Sequence, residues 1–243
     1  MHANSPQACS NSRLAHLPVS MFSIVMGLAG TTIAVQKAGH LWNCTPWLAQ
    51  FLMWMTALVY VLIACAYLSK LVLYRTQVIA EFNHPIRMSF FPAMSIGMLL
   101  LATTFLDASL AVALFLWAIG SAVQLLFTLV ILSNWMHHEK FQVQHSNPAW
   151  FIPIVGNILV PIAGIHHAPA DISWFFFSLG VFFWPVLTAI LFYRLIFHPS
   201  LPERFLPTLF IFIAPPAVVG LSSLQLGAPE GVAWALWGMA LFS

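Results

Sequence analysis

Apolar residues fill long stretches of this chain, and polar residues gather in the gaps between them. Eight apolar stretches stand out, at roughly 18–36, 46–69, 88–105, 108–133, 149–166, 172–193, 205–225 and 231 to the end. A helix needs about 20 such residues to cross a bilayer. The pattern therefore predicts eight helical spans. The last begins near Gly231 and stops at Ser243, so the chain is expected to end inside its eighth helix. Gaps on one side are short: Leu106-Asp107, His167 to Asp171, and Gly227 to Glu230. Those on the other side are longer: Lys70 to Arg87, Asn134 to Pro148, and Arg194 to Arg204. Short links force antiparallel neighbours. The expected organisation is a polar tail, 1–17, and one transmembrane domain, 18–243, built of hairpins at about 18–69, 88–133, 149–193 and 205–243, the last incomplete.

The hairpins repeat. Their first members open on His16-Leu17-Pro18, Phe90-Phe91-Pro92, Phe151-Ile152-Pro153 and Phe205-Leu206-Pro207. Three are preceded within a few residues by His84-Pro85, Asn147-Pro148 or His198-Pro199. Odd spans hold Pro18, Pro92, Pro153, Pro161, Pro207, Pro215 and Pro216, whereas even interiors hold only Pro185. Odd spans also carry Gly27, Gly30, Gly97, Gly156, Gly164 and Gly220, with Ser20, Ser23, Ser95, Asn157, Thr208 and Ser222. Proline frees a backbone carbonyl one turn back, and in lipid that carbonyl must face protein or a wet cavity. Even spans are bulkier, as in Trp174-Phe175-Phe176-Phe177, which suits lipid tails. The expected fold is an all-α polytopic membrane protein, with kinked odd helices inside around a central pore and straight even helices outside. For any single proline or glycine, close helix packing is the plainer explanation. The bias across the whole set is what favours the inner ring.

Composition agrees: 61% of residues are hydrophobic and 6% charged, against about 25% charged in a soluble domain. Threading the spans in order puts Arg13, Lys70, Arg75, Arg87, Lys140, Arg194 and Arg204 on one side and only Lys37 on the other. The positive-inside rule then places the N-terminus in the cytoplasm. The expected location is a plasma membrane, the bacterial inner membrane. The basic residues are too widely spaced to suggest nucleic acid as a partner. Cys9, Cys44 and Cys65 show no paired spacing, so a disulfide is not expected. His137-His138, His145 and His166-His167 lie in loops without the i, i+4 spacing of a helical zinc site. No cofactor or metal is expected. His166-His167 could instead tune a response to pH.

No charged residue falls in the middle of an odd span, and no catalytic or phosphate-loop motif is present. This argues against a proton relay, a cation filter or an enzyme with buried titratable groups. An apolar passage dotted with hydroxyls and one amide fits an anion that is held weakly and released easily. The candidate lining and kink positions are Pro18, Phe22, Gly27, Pro92, Ser95, Gly97, Pro153, Gly156, Asn157, Pro161, Pro207, Phe210 and Pro215. Arg87 and Arg204, just before odd spans, would draw anions to the cytoplasmic mouth, helped by helix dipoles there. Phe22 or Phe210 could plug the passage, although helix packing is the commoner use of such rings.

The stretch from His84-Pro85 through Phe90-Phe91-Pro92 to Gly97 resembles the tellurite-resistance/dicarboxylate transporter family, as does Pro207 to Ala217 with its Ala214-Pro215-Pro216. That family includes bacterial TehA and the slow-type anion channels of plant guard cells. The resemblance runs from about Leu17 to the end. It implies ten helices in five hairpins, a homotrimer with one pore per subunit, and passive movement of small anions gated by an aromatic ring. It also admits coupled transport of malate or export of oxyanions such as tellurite and sulfite. The family's occluding phenylalanine lies on a ninth helix, which this chain does not reach.

Overall fold

The computed structural model describes residues 13–42, 46–137 and 141–242, without the side chains of Trp42, Gln144, Arg204 and Phe205. Cys9, Cys44, His138, Lys140 and the polar tail through Ser12 therefore lie outside the described residues. Among the described residues ten α-helices follow in order: α1 (Phe22–Trp42), α2 (Pro46–Leu73), α3 (Arg75–Phe82), α4 (Ala93–Thr104), α5 (Leu110–His137), α6 (Phe151–Ile158), α7 (Val160–Gly164), α8 (Ala170–Phe197), α9 (Ala214–Gln225) and α10 (Glu230–Phe242). The fold is all-α, as expected for a polytopic membrane protein.

The span count differs from the eight expected. Among the described residues, five helices qualify by length and composition: Val19–Leu41, Pro46–Leu73, Leu110–His137, Ala170–Phe197 and Leu206–Gln225. A sixth qualifies if Arg75–Phe82 and Arg87–Thr104, which meet at a bend of 104°, count as one. The segments Pro148–Gly164 and Glu230–Phe242 are helical where spans are predicted but shorter. Within the first of these, α6 and α7 part at Leu159, two residues before Pro161, whose missing N–H interrupts the ladder. Helix α3 is an addition, because its residues read as loop.

The hairpins pair as predicted: α1 packs on α2, α4 on α5, α6 and α7 on α8, and α9 on α10. The first members also pack side by side. Helix α1 meets α4, α4 meets α6 and α7, and both of these meet α9. No comparable packing joins α1 to α9, so these helices form an arc. Each member of the arc is entered through a 3-10 turn beside the repeated proline: Val19–Met21, Arg87–Phe90, Pro148–Trp150 and Glu203–Ile213. Those four turns touch in that order at one end of the molecule, here called the base. The fourth is long because Pro207, Pro215 and Pro216 each withhold a helical donor.

Burial separates two layers. Every residue of α6 and α7 is buried, as are most of α4. Helices α2, α5 and α8 bury one narrow stripe each; on α5 it is Ala113, Trp117, Gly120, Ser121, Gln124, Thr128 and Ile131. Their remaining surface is apolar and exposed, including Phe51, Leu58, Phe115, Leu126, Phe175 and Phe182. Such a surface is stable against hydrocarbon and not against water.

Candidate functional site

At the base, a cavity of about 500 Å³ opens where three hairpins meet. The first contributes His16, Pro18 and Ser20, the second Arg87 and Phe90, and the fourth Thr208. Arg87 is exposed in it. The leading N–H groups of two of these turns are already engaged, that of Val19 by Glu81 Oε1 at 2.8 Å and that of Arg87 by His84 Nδ1 at 3.4 Å.

One wall of this cavity is a buried ion pair that the sequence reading missed. Lys70 Nζ on α2 lies 2.7 Å from Glu81 Oε2 on α3, and both side chains are 4% exposed. Lys70 also donates to the Leu17 carbonyl at 2.8 Å. The Val19 N–H donates to Glu81 Oε1 at 2.8 Å, and the Tyr67 hydroxyl donates to Oε2 at 3.2 Å. The expected lack of buried titratable groups is thus corrected. Glu81 sits in a stretch read as loop, and only the fold of α3 turns it inward.

A second polar cluster lies between the layers. Gln124 of α5 donates through Nε2 to the Pro153 carbonyl at 2.9 Å and accepts from Ser95 Oγ at 2.7 Å. Thr128 Oγ1 lies 2.8 Å from the same carbonyl. Asn157 Nδ2 lies 3.0 Å from that carbonyl and 2.9 Å from Thr128 Oγ1, to which it donates. Two more side chains serve the break between α6 and α7: Ser222 Oγ donates to the Ile158 carbonyl at 2.5 Å, and Trp117 Nε1 donates to the Val160 carbonyl at 2.9 Å. Irregular backbone at membrane depth is tolerated where protein satisfies it. Here it does so without calling on a wet cavity.

The predicted positions are spread over several parts of the structure. Pro18 and Arg87 meet at the base cavity. The backbone of Arg204 lies in the fourth 3-10 turn, but its side chain is outside the described residues. Ser95, Pro153, Gly156 and Asn157 belong to the cluster facing α5. A Cβ on Gly156 would fall on the Gln124 amide, and one on Gly97 would meet the Tyr60 ring at 3.1 Å. Pro92, Pro161 and Pro215 are buried in the arc. Gly27, Pro207 and Phe210 are exposed, and a Cβ on Gly27 would meet nothing within 4 Å. Phe22 is 1% exposed, with its ring 5.9 Å from both Tyr60 and Tyr67. That ring is fixed in packing and not free to plug a passage, whereas Phe210 is 77% exposed. Gln124 and Thr128 were missed because α5 read as plain. Their signal was polar spacing, with Ser121, Gln124 and Thr128 on one face of an apolar helix.

At the other end, the top, His40 of α1 pairs with Asp107 at 3.1 Å, and Gln36 donates to the Thr104 carbonyl at 2.8 Å. Lys37 lies beside them. Between these ends, the described parts of α1, α4, α6, α7 and α9 carry no ionisable side chain.

The SLAC1 family, described as voltage-dependent anion channel, matches residues 16–243. Among curated relatives, an uncharacterized transporter of Methanocaldococcus jannaschii is 27% identical over 90% of this chain and 68% of its own length. The S-type anion channel SLAH2 of Arabidopsis thaliana is 28% identical over 88% of this chain and 43% of its own. A tellurite resistance protein TehA homolog of Haemophilus influenzae is 27% identical over 91% and 68%. The chain thus spans between about two fifths and two thirds of the length of these relatives.

Proposed function

Since the chain belongs to the voltage-dependent anion channel family across residues 16–243, we propose that it passes small monovalent anions across a membrane down their gradient. The observation that carries this reading is the base cavity: an exposed arginine and several helix starts share one opening, and the arc beyond it is uncharged. Arg87, with Arg204 of the fourth 3-10 turn, concentrates anions at the opening. The uncharged arc then holds them weakly enough to let them go. Exposed Gly27 and Phe210 border the route, and Phe210 is the aromatic group available to occlude it by dewetting. Pro18, Pro92, Pro153, Pro161, Pro207 and Pro215 shape the lining helices, while Ser95, Gly97, Gly156 and Asn157 hold them to their neighbours. The protein works as a homotrimer in the plasma membrane with its base in the cytoplasm. Its other partners are lipid and the permeating anion.

The test is anion flux. Purified protein in planar bilayers should carry a current that reverses near the chloride equilibrium potential. An unselective leak, or no current with folded protein, would overturn the reading. Uptake of a dicarboxylate that collapses with the proton gradient would instead favour coupled transport.

A further inference from the structure

Building on the anion-passage reading, we infer that the Lys70–Glu81 pair sets the electrostatic depth of the base cavity, with Glu81 as a built-in counterweight that keeps anion attraction weak. The two residues of the pair and one exposed guanidinium line the same cavity: Lys70, Glu81 and Arg87. Lys70 alone would make this wall strongly attractive to an anion, because its side chain is only 4% exposed and poorly screened by water. Glu81 at 2.7 Å cancels most of that field. The cavity then presents chiefly Arg87, which is exposed and screened.

Glu81 is also joined to the α1 entrance through the Val19 N–H and to α2 through the Tyr67 hydroxyl. A mechanical role for the pair must therefore be separated from the electrostatic one. Holding three elements together does not require opposite charges, since buried ion pairs can often be replaced by uncharged groups at little cost in stability. What only charge supplies is a field at the cavity. Conduction needs attraction that is sufficient for entry and weak enough for exit. A carboxylate beside the buried lysine holds the balance between the two.

Charge balance gives the test. Glu81→Gln leaves Lys70 uncompensated and keeps one acceptor oxygen for the Val19 N–H, while its amide nitrogen takes the place of the oxygen that accepts from Tyr67. Lys70→Met leaves Glu81 uncompensated. The double variant restores neutrality. In planar bilayers at about 50 mM chloride, where screening is modest, the initial anion current should rise about two- to fivefold in Glu81→Gln and fall by a similar factor in Lys70→Met. The double variant should return to the wild-type value. At about 1 M chloride the differences should shrink, because the screening length falls to about 3 Å. A purely mechanical pair predicts otherwise: both single variants lose current, and the double does not recover. That pattern, or unchanged currents in both folded single variants, overturns the inference. Folding of each variant is read from thermal unfolding in detergent. If a single variant fails to fold, the double is compared with wild type and with the surviving single. Failure of the double to fold assigns the pair to structure and overturns the inference too. A wild-type protein that carries no anion current would sink the anion-passage reading itself, which is a different result.

Discussion

The Pro153 carbonyl has donors around it on three sides: Gln124, Thr128 and Asn157. A carbonyl has two lone pairs, and Thr128 has a single hydroxyl proton, while its Oγ1 also lies 2.8 Å from the backbone carbonyl oxygen of Gln124. These bonds are therefore shared, and the cluster acts as one unit. Gly156 makes room for it, because a Cβ there would fall on the Gln124 amide. The amide is the end of a flexible side chain, but its bonds to Pro153 and Ser95 hold it in place. Gly156→Ala should cost about 1–3 kcal/mol through overpacking and lost bonds. Gln124→Ala removes the obstructing atoms. Adding Gly156→Ala to it should then cost much less than in the wild type, a coupling of about 1 kcal/mol or more. Thermal unfolding of the four proteins in one detergent measures this cycle, and strict additivity would show that Gly156 does not serve Gln124.

At the scale of elements, the sequence reading located the helix pairs well and their breaks less well. Hairpin pairing was legible because short polar links between long apolar runs admit only antiparallel neighbours. The entrances were legible because each carries a proline beside its 3-10 turn. Helix α3 was not, since Arg75–Phe82 has no apolar run, and its inward face rests on Val78 and Glu81 alone. The partners of Ser95 and Asn157 were not either, because two polar residues barely change the hydropathy of a 28-residue helix such as α5. The link from α7 to α8 holds a further consequence of packing. His167 lies beside the Trp117 ring, at 6.1 Å between centroids. Burial, and then the neighbouring His166, hold its pKa below the ordinary value of 6.5. Between the folded and ordinary values the unfolded chain binds the extra proton. Stability is therefore full above about pH 6.5 and is lost as pH falls through the folded pKa. The melting temperature should drop between about pH 7 and pH 5, and drop less in His167→Gln. Identical pH profiles for the two proteins would remove His167 from the account.

For the whole molecule, the arc of α1, α4, α6 with α7, and α9 matters more than any one residue in it. Polar side chains from α5, with Asn157 and Ser222 of the arc itself, satisfy its breaks, so the inner helices bend without exposing backbone to lipid. That leaves charge at the two ends and none along the described inner helices between them. A field of this shape should act on arrival at the base and little on movement beyond it. Arg87 is the place to test the division, because it is exposed in the cavity and has no part in the polar cluster between the layers. Arg87→Gln removes one unit of charge and leaves the arc's packing untouched. At about 8 Å and an intermediate dielectric, one charge changes local anion concentration about fivefold. The variant should therefore carry about one fifth of the wild-type current at low chloride. When chloride is high enough to saturate entry and screen the cavity, the two currents should converge. The ratio of anion permeabilities should stay the same throughout, because discrimination among anions would be set by dehydration in the uncharged arc. A variant that lost selectivity along with current would place Arg87 within the selective step, and the separation of attraction from passage would be wrong.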